Sequence, residues 1–373
     1  MAQSLFMVCT EASGDLLGAR LLAQLKTMIP QLSVTGVAGD MLAAEGMQPL
    51  YRVADFNVMG LVEVFSQLRR LKRIFNELVE HVRTSKPDVI LLVDAPDFNL
   101  RFAKAVRSLG IPIVYYVSPQ VWAWRKKRAA RIADLVDHMM VLFSFEQSIY
   151  QAYGLTTTWV GHPLVDELGN LEDRQSCFAR WGLDPEKPLI ALAPGSRGSE
   201  VGKLLPTMAQ VAERCADRYQ FAVPLAPTID PVHAATALGG VDVPILPGEM
   251  RAVMKHARAA VVASGTATLE TGLLGTPMIV GYRLKRLTYA MANMLVKVPH
   301  VALVNIVLGK RVVPELIQDE FTPEKVIPLL DELASDGLRR SQVLAEFARL
   351  EQVLGGTGAA RRAAEVVKGF LSS

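Results

Sequence analysis

Short apolar segments alternate with amphipathic segments along almost the whole chain, and this alternation restricts the fold more than any other feature of the sequence. Strands of a parallel sheet are buried on both faces and have continuous apolar runs, whereas the helices that cover the sheet repeat every 3.6 residues. The alternation therefore predicts parallel sheets with crossover helices. In the first half of the chain, the predicted strands lie at residues 5–9, 33–37, 89–93, 111–117, 138–142 and 158–160.

A second series of the same kind follows a polar stretch at residues 167–175. Its predicted strands lie at residues 189–193, 221–225, 243–246, 259–263 and 278–281, and helices follow from about residue 322. A length of 373 residues suits two domains with separate cores. We therefore expect two Rossmann-like α/β domains at residues 1–165 and 166–345, with a ligand cleft between them, and a helical tail at residues 346–373.

The balance of charged residues argues against a protein that binds nucleic acid through its overall charge. The chain has 40 Lys and Arg against 37 Asp and Glu, a net charge of +3. The three cysteines, Cys9, Cys177 and Cys215, are too few and too scattered for a disulfide framework or a zinc site. The N-terminal residues lack a signal-peptide pattern, and no apolar run reaches the roughly 20 residues of a spanning helix. We therefore expect a cytoplasmic protein that does not cross a membrane.

Several sequence fingerprints of cofactor and metal sites are absent. No G-x-G-x-x-G follows the first predicted strand, and neither a P-loop nor an H-E-x-x-H motif occurs in the chain. These absences argue against an NAD-dependent oxidoreductase, a P-loop enzyme and a zinc protease. We expect no cofactor and no bound metal.

Acidic residues follow two of the predicted strands in the first domain. Asp94 comes directly after the strand at 89–93, at the sheet edge where parallel sheets bind ligands, and partial burial there would raise its pKa toward a value suited to a general base. Since Asp97 is available to cap the next helix, we assign catalysis to Asp94 and capping to Asp97. After the first strand, Asp15 is interpreted as a cap. Glu11 is either a cap or a ligand contact, and we place it with Asp94 among the candidate catalytic residues.

Two segments of the first domain combine apolar or aromatic residues with positive charge. A pair of tryptophans stands immediately before a dense basic patch at 125–131, which favours an anionic partner. An apolar stretch at 58–64 precedes a basic amphipathic helix at 67–82, which is either an ordinary crossover helix or a helix that rests on an anionic membrane. The candidate contacts with an anionic partner, a lipid or a membrane are Val58, Met59, Leu61, Val62, Arg69, Arg73, Trp122, Trp124 and Arg125.

Two strand-to-helix junctions of the second domain are suited to a nucleotide. The first contains Gly195, Ser196 and Arg197, where glycine allows close approach, a helix N-terminus favours an anion and the guanidinium can pair with phosphate. The second contains Ser264, Gly265, Thr266 and Glu270. Glu270 either complements the helix dipole or binds the two hydroxyls of a ribose. Together the junctions predict a nucleotide site at neighbouring strand ends.

These motifs, taken together, resemble those of the lipid-A-disaccharide synthase family along essentially the whole chain. The matching motifs occur in the same order in both domains: Ser13-Gly14-Asp15, Val58-Met59-Gly60, Asp94-Ala95-Pro96-Asp97-Phe98-Asn99, Val121-Trp122-Ala123-Trp124-Arg125, Gly161-His162-Pro163, Pro194-Gly195-Ser196-Arg197-Gly198, Ala263-Ser264-Gly265-Thr266-Ala267 with Glu270, and Gly281-Tyr282-Arg283. A further family motif, Leu-Pro-Asn, reads Leu303-Val304-Asn305, which keeps the asparagine.

The resemblance implies an inverting glycosyltransferase of the GT-B fold. Its substrates would be UDP-2,3-diacylglucosamine and 2,3-diacylglucosamine 1-phosphate, and its products lipid A disaccharide 1-phosphate and UDP. In that reaction, Asp94 suits the base and Arg197 the group that stabilises the departing diphosphate without a metal. Asn305 joins the second-domain junction residues as a candidate UDP contact.

The resemblance also implies where the protein works and how it assembles. Family members are peripheral enzymes on the inner face of the inner membrane, which favours lipid contact by the apolar stretch at 58–64 and the basic helix after it. They also form homodimers by exchanging C-terminal segments. The tail at 346–373 is therefore expected either to contact the N-terminal domain of its own chain or to be exchanged.

Other functions are compatible with the same architecture. A UDP-sugar epimerase would act on a soluble nucleotide sugar without an acceptor or an acyl-binding surface. A non-catalytic nucleotide-sugar-binding protein would have no use for a base at Asp94.

Overall fold

The computed structural model describes residues 3–56, 64–124, 126–169, 171–284 and 299–372, apart from the side chains of 64–68, 123–124 and 126–127. The chain forms two compact units, one made of Met1–Pro163 with Leu354–Ser373 and the other of Leu164–Val353. Each unit is built around its own parallel sheet. The predicted fold class, an α/β protein of two Rossmann-like parallel-sheet domains, is confirmed.

The described residues of the first unit form a sheet of seven strands in the spatial order β3-β2-β1-β4-β5-β6-β7, and all paired strands are parallel. These strands are β1 (Ser4–Val8), β2 (Ser33–Ala38), β3 (Gln48–Arg52), β4 (Val89–Val93), β5 (Ile113–Tyr116), β6 (His138–Val141) and β7 (Thr156–Trp159). Its described helices are α1 (Ala12–Met28), α2 (Asp40–Ala44), α3 (Val64–Ser85), α4 (Pro96–Val106), α5 (Val121–Trp124), α6 (Lys126–Ala133), α7 (Phe145–Gln151) and the C-terminal α18 (Ala359–Leu371).

Helices bury the sheet of the first unit on both faces. Every residue of β4 is buried, as its continuous apolar run predicts. Helix α3 places Ile74, Leu78 and Val82 in the core, so the described part of this helix is a crossover helix with a charged outer side. The C-terminal helix α18 lies against α1.

In the part of the second unit that the structure describes, six strands form a sheet in the spatial order β10-β9-β8-β11-β12-β13, again with parallel pairing. These strands are β8 (Leu189–Ala193), β9 (Gln220–Leu225), β10 (Ile245–Pro247), β11 (Ala259–Ala263), β12 (Met278–Tyr282) and β13 (Glu315–Ile317). Its described helices are α8 (Leu164–Glu167), α9 (Arg174–Trp181), α10 (Gly198–Arg214), α11 (Pro231–Leu238), α12 (Met250–His256), α13 (Thr266–Leu273), α14 (Leu303–Leu308), α15 (Pro323–Ala334), α16 (Leu338–Phe347) and α17 (Leu350–Val353).

The predicted strands all overlap with observed ones, and two observed strands, β3 and β13, were not predicted. Both lie at the edge of their sheets, where a strand pairs on one side only. Strand β3 contains Pro49 and has alternating exposed residues, and β13 has only three residues. Within the ranges described above, no helix combines the length and the apolar character needed to span a membrane.

Candidate functional site

The candidate residues of the first unit follow the two strands at which the strand order reverses. Strands β1 and β4 are hydrogen-bonded neighbours, and the order runs outward from them in opposite directions. The carboxyl ends of strands at such a switch point form the crevice in which open α/β sheets bind ligands. Glu11 and Ser13 follow β1, and Asp94 follows β4, so the sheet places all three residues at this crevice.

Asp94 is half-buried, and its main chain is fixed by three hydrogen bonds. Its N–H donates to Tyr116 O at 2.9 Å, and its carbonyl accepts from Asn99 Nδ2 at 2.8 Å and from Tyr115 Oη at 2.6 Å. The Ser13 hydroxyl donates to Asp94 Oδ2 at 3.2 Å. The carboxylate therefore lies at the crevice with a defined orientation, as a proton acceptor requires.

The backbone at Asp94 is strained. Asp94 has φ +52° and Ala95 has φ +42°, so two consecutive residues with side chains adopt the left-handed conformation. Each such residue costs about 1 kcal/mol. Ala95 is the N-cap of α4, but it provides no side-chain cap.

Glu11 lies beside other carboxylates. Partial desolvation raises its pKa above the ordinary value for a glutamate, and the negative charges of Asp94 and Asp97 raise this pKa further. Glu11 is the N-cap residue of α1, but its side chain makes no capping hydrogen bond. The structure therefore does not support the capping alternative for Glu11, and a role in ligand contact or catalysis stays a prediction.

Asp15 and Asp97, the two residues at this sheet edge that are predicted to cap helices, make different contacts. Asp15 is buried and caps α2, because its carboxylate accepts from the N–H groups of Gly39, Met41 and Leu42 at 2.7–3.2 Å. Asp15 is therefore a cap, but the prediction that it caps the helix after the first strand is wrong, because Asp15 lies within α1 and caps α2. The capping assigned to Asp97 is wrong: this residue follows the N-cap, and its exposed carboxylate contacts Arg128 at 3.4 Å.

Trp122 packs into an aromatic cluster. Its ring contacts Phe145 edge-on with centroids 5.7 Å apart, and Phe145 stacks on Phe143 at 5.5 Å. Nearby, burial raises the pKa of Glu146 to about 7. Of the other predicted acceptor or membrane contacts, Arg69 and Arg73 are exposed on α3. Val58, Met59, Leu61, Val62 and Arg125, together with the Trp124 side chain, lie outside the described residues.

The second unit has its own switch point, between the neighbouring strands β8 and β11. After β8, the Ser196 N–H donates to Glu200 Oε2 at 3.1 Å, and Arg197 Nη1 lies 3.2 Å from Glu200 Oε1. Gly195 has φ +108°, and a Cβ there would lie 2.3 Å from the same carboxylate. The loop thus already binds one carboxylate, which shows that its N–H and guanidinium groups can bind an anion. The Arg197 side chain is 80% exposed and accessible to a ligand.

The loop after β11 lies beside this anion-binding loop, so the prediction that both junctions meet at neighbouring strand ends is confirmed. Gly265 and Thr266 are exposed at the start of α13, whereas the Ser264 hydroxyl donates to Val301 O at 2.6 Å. Glu270 lies beyond the first turn of α13 and is bound by Arg251, with Nε 2.6 Å from Oε1. An ion pair therefore replaces the predicted helix-dipole contact, and the ribose role of Glu270 stays a prediction.

Asn305 does not have the role assigned to it from the sequence. Its side chain is fully buried, and Nδ2 donates to Val313 O at 2.9 Å and to Glu315 Oε1 at 2.8 Å. Its Oδ1 accepts from the N–H groups of Val312 at 2.8 Å and Val313 at 3.0 Å. An amide has two donors and two main acceptor positions, and its own chain uses all of them. We therefore correct the assignment from a UDP contact to a structural residue that orders the segment before β13.

Four residues that contact the candidate site residues Asp94, Arg197 and Glu270 were not predicted. Asn99 and Glu200 stand inside the motifs that carry Asp94 and Arg197, and that proximity was an available signal. Tyr115 lies within a strand and Arg251 within a separate helix, and neither has a local sequence signal. Within the described ranges, no group of three or more His, Cys, Asp or Glu side chains could hold a metal ion.

Comparison with known proteins gives a consistent result. A family model described as lipid-A-disaccharide synthetase matches residues 5–363. The chain is 42% identical over 368 residues to the lipid-A-disaccharide synthase of Myxococcus xanthus strain DK1622, which covers 97% of this chain and 96% of that protein.

Solved structures of lower identity share the fold. The calicheamicin glycosyltransferase CalG4 matches with a TM-score of 0.61 at 15% identity, over 100% of this chain and 98% of that one. The UDP-GlcNAc 2-epimerase from Neisseria meningitidis, solved with UDP-GlcNAc, matches with a TM-score of 0.61 at 12% identity, over 100% of both chains. Because glycosyltransferases and epimerases share this fold, the fold alone does not separate them.

Proposed function

Because this chain belongs to the lipid-A-disaccharide synthase family, we propose that it transfers 2,3-diacylglucosamine from UDP to the 6-hydroxyl of 2,3-diacylglucosamine 1-phosphate. The chain is a glycosyltransferase, and the proposed products are the β-1,6-linked disaccharide 1-phosphate and UDP. The observation that carries the proposal is the family match over residues 5–363, which includes both sets of candidate residues. The same match disfavours the epimerase and the non-catalytic binding protein.

The proposed chemistry is a single displacement with inversion at the anomeric carbon. The acceptor 6-oxygen forms the new bond while the bond from the sugar to the UDP oxygen breaks, and the hydroxyl proton passes to the Asp94 carboxylate. The departing diphosphate gains negative charge, which the Arg197 guanidinium and the Ser196 N–H stabilise. In this step the diphosphate takes the place of the Glu200 carboxylate that these two groups otherwise bind.

The decisive assay supplies both acylated sugars and measures UDP release together with disaccharide formation. We expect UDP release only when donor and acceptor are both present, and equal rates with and without chelator because Arg197 and the loop N–H supply the positive charge. Conversion of the UDP-sugar without acceptor would favour an epimerase. A rate that falls to background on adding chelator would contradict the metal-free mechanism.

We further propose that the protein works at the cytoplasmic face of the inner membrane, bound there through residues 58–62 and the first turns of α3. Its proposed substrates have acyl chains, and Arg69, which follows this apolar stretch in the sequence, is exposed on α3. One basic residue near an anionic membrane contributes about 1 kcal/mol. Arg69→Glu should therefore reduce co-sedimentation with phosphatidylglycerol vesicles roughly tenfold, whereas Arg83→Glu at the far end of the helix should not. Equal binding by both variants would contradict the proposal.

We also propose that the protein is a homodimer in which two chains exchange α18. The helix is preceded by a glycine-rich segment at 355–358, which is the place for an exchange hinge. Light scattering should give twice the mass of one chain. Because lengthening a short hinge removes the reason for exchange, inserting several Gly and Ser residues after Gly356 should shift the protein toward the mass of one chain. An unchanged dimer would show that α18 is not exchanged.

A further inference from the structure

The main chain at Asp94 is fixed by two fully buried polar side chains that the proposed chemistry does not use. We propose that Asn99 and Tyr115 are positioning residues, which keep the strained Asp94 backbone in the one conformation that directs its carboxylate at the crevice. This inference rests on the proposed function, since it gives these residues a purpose only if Asp94 is the base.

The hydrogen bonds of Asn99 are directed at the strained segment. The side chain has no exposed surface, and its Nδ2 donates to both Val93 O at 3.1 Å and Asp94 O at 2.8 Å. Its Oδ1 is buried and has no hydrogen-bond partner among the described residues. A buried acceptor without a hydrogen-bond partner lowers stability, so stability alone does not explain an asparagine at position 99. The amide is therefore best explained by its two bonds to the carbonyls.

Tyr115 reaches the same carbonyl from the neighbouring strand. Tyr115 lies opposite Leu92 in the β4–β5 pair, and its hydroxyl donates to Asp94 O at 2.6 Å. Burial and the charge of Asp94 raise the pKa of Tyr115 well above its ordinary value, so the phenol stays protonated and remains a donor.

These bonds act on the peptide between Asp94 and Ala95, where both residues have positive φ. Residues with a Cβ leave this conformation unless the surrounding structure determines it. A change of the Asp94 φ from +52° to the usual negative range would turn the Asp94 Cβ about the N–Cα bond and move the carboxylate away from the Ser13 hydroxyl. Misplacing a catalytic group by about 1 Å reduces a rate by up to about 100-fold.

The test compares two buried tyrosines of the same unit. Tyr115→Phe removes the bond to Asp94 O, whereas Tyr150→Phe removes a bond of 2.8 Å to Ser118 that does not involve Asp94. We expect Tyr115→Phe to lower kcat roughly 10- to 100-fold, with donor KM and UDP affinity within about twofold of the unchanged protein. Tyr150→Phe should retain kcat within about threefold. Equal kcat values for the two variants would overturn the inference.

A second variant separates positioning from stability. Adding Ala95→Gly to Tyr115→Phe relieves the strain at position 95 but leaves Asp94 at φ +52° without the bond from Tyr115, so it should restore thermal stability without restoring kcat. Recovery of both would show that Tyr115 only supports the fold. The same measurements of kcat and thermal stability, with and without Ala95→Gly, apply to Asn99→Ala. The unchanged protein is assayed in parallel with both acylated sugars. If it releases no UDP, the proposed function fails and this inference fails with it. If it turns over and Tyr115→Phe has no effect, the inference alone is refuted.

Discussion

Asp94→Asn should form disaccharide at least about 1,000-fold more slowly than the unchanged protein, with UDP affinity changed by less than about twofold. An amide has the shape of the carboxylate but cannot take the acceptor's proton. The hydrogen bonds that fix the main chain at Asp94 come from Asn99, Tyr115 and the neighbouring strand, and none of them involves the replaced oxygen. The variant should therefore fold and bind UDP while losing the chemical step. Single-turnover kinetics and calorimetric titration of UDP measure the two quantities separately.

Asp97→Asn is the matched control for this variant. Asp97 lies three residues along the chain, and its exposed carboxylate contacts Arg128 rather than the Asp94 backbone. We expect its turnover to remain within about threefold of the unchanged protein. If Asp94→Asn retained its turnover, or lost UDP affinity in proportion to turnover, Asp94 would not be the base.

Arg197→Gln should lower turnover by about 100- to 1,000-fold and weaken UDP binding at least about tenfold. Arg197 is the charged donor of the loop after β8, and its loss removes both the ground-state contact with the diphosphate and the stabilisation of the leaving group. Because the side chain is 80% exposed and pairs only with Glu200 three residues on in the described contacts, the free energy of unfolding should change by less than about 0.5 kcal/mol. Titration of UDP, turnover assays and thermal unfolding measure these three effects.

Two further variants make the result specific to Arg197. Arg214→Gln changes an exposed arginine at the other end of α10, which pairs with Glu324 at 2.6 Å, and should leave UDP binding unchanged. Arg197→Lys keeps the charge but loses the two-pronged geometry, so it should restore only part of the activity. If all three variants bound UDP equally well, the loop after β8 would not be the diphosphate site.

The positions of the buried strands could be predicted because a buried strand is marked by the apolar residues of its own short segment. Strands β4, β8 and β11 match the predicted ranges residue for residue, since each is a continuous apolar run that is buried on both faces. Strand β3 lacks that run because it contains Pro49 and alternates exposed with half-buried residues, and β13 has only three residues, so neither could be recognised. The same locality explains why Asp94 and Arg197 could be placed at strand ends without a structure.

The partners of polar side chains could not be predicted in this way. Asp15 binds N–H groups 24 to 27 residues away, and the hydroxyl of Ser13 contacts Asp94 81 residues along the chain. Asn305 matches a family motif by residue type, but the donors and acceptors of its amide are used in hydrogen bonds within its own chain. Glu270 pairs with Arg251, which lies on a different helix.

The order of apolar and amphipathic segments by itself determined that this chain forms two parallel sheets, and that Glu11, Asp94 and Arg197 follow their strands. The tertiary structure alone decided which sheet edge is a switch point, which polar groups are satisfied internally, and which backbone carries strain. The reason is physical: burial follows a period of a few residues, whereas a hydrogen bond joins whichever residues the folded chain brings together.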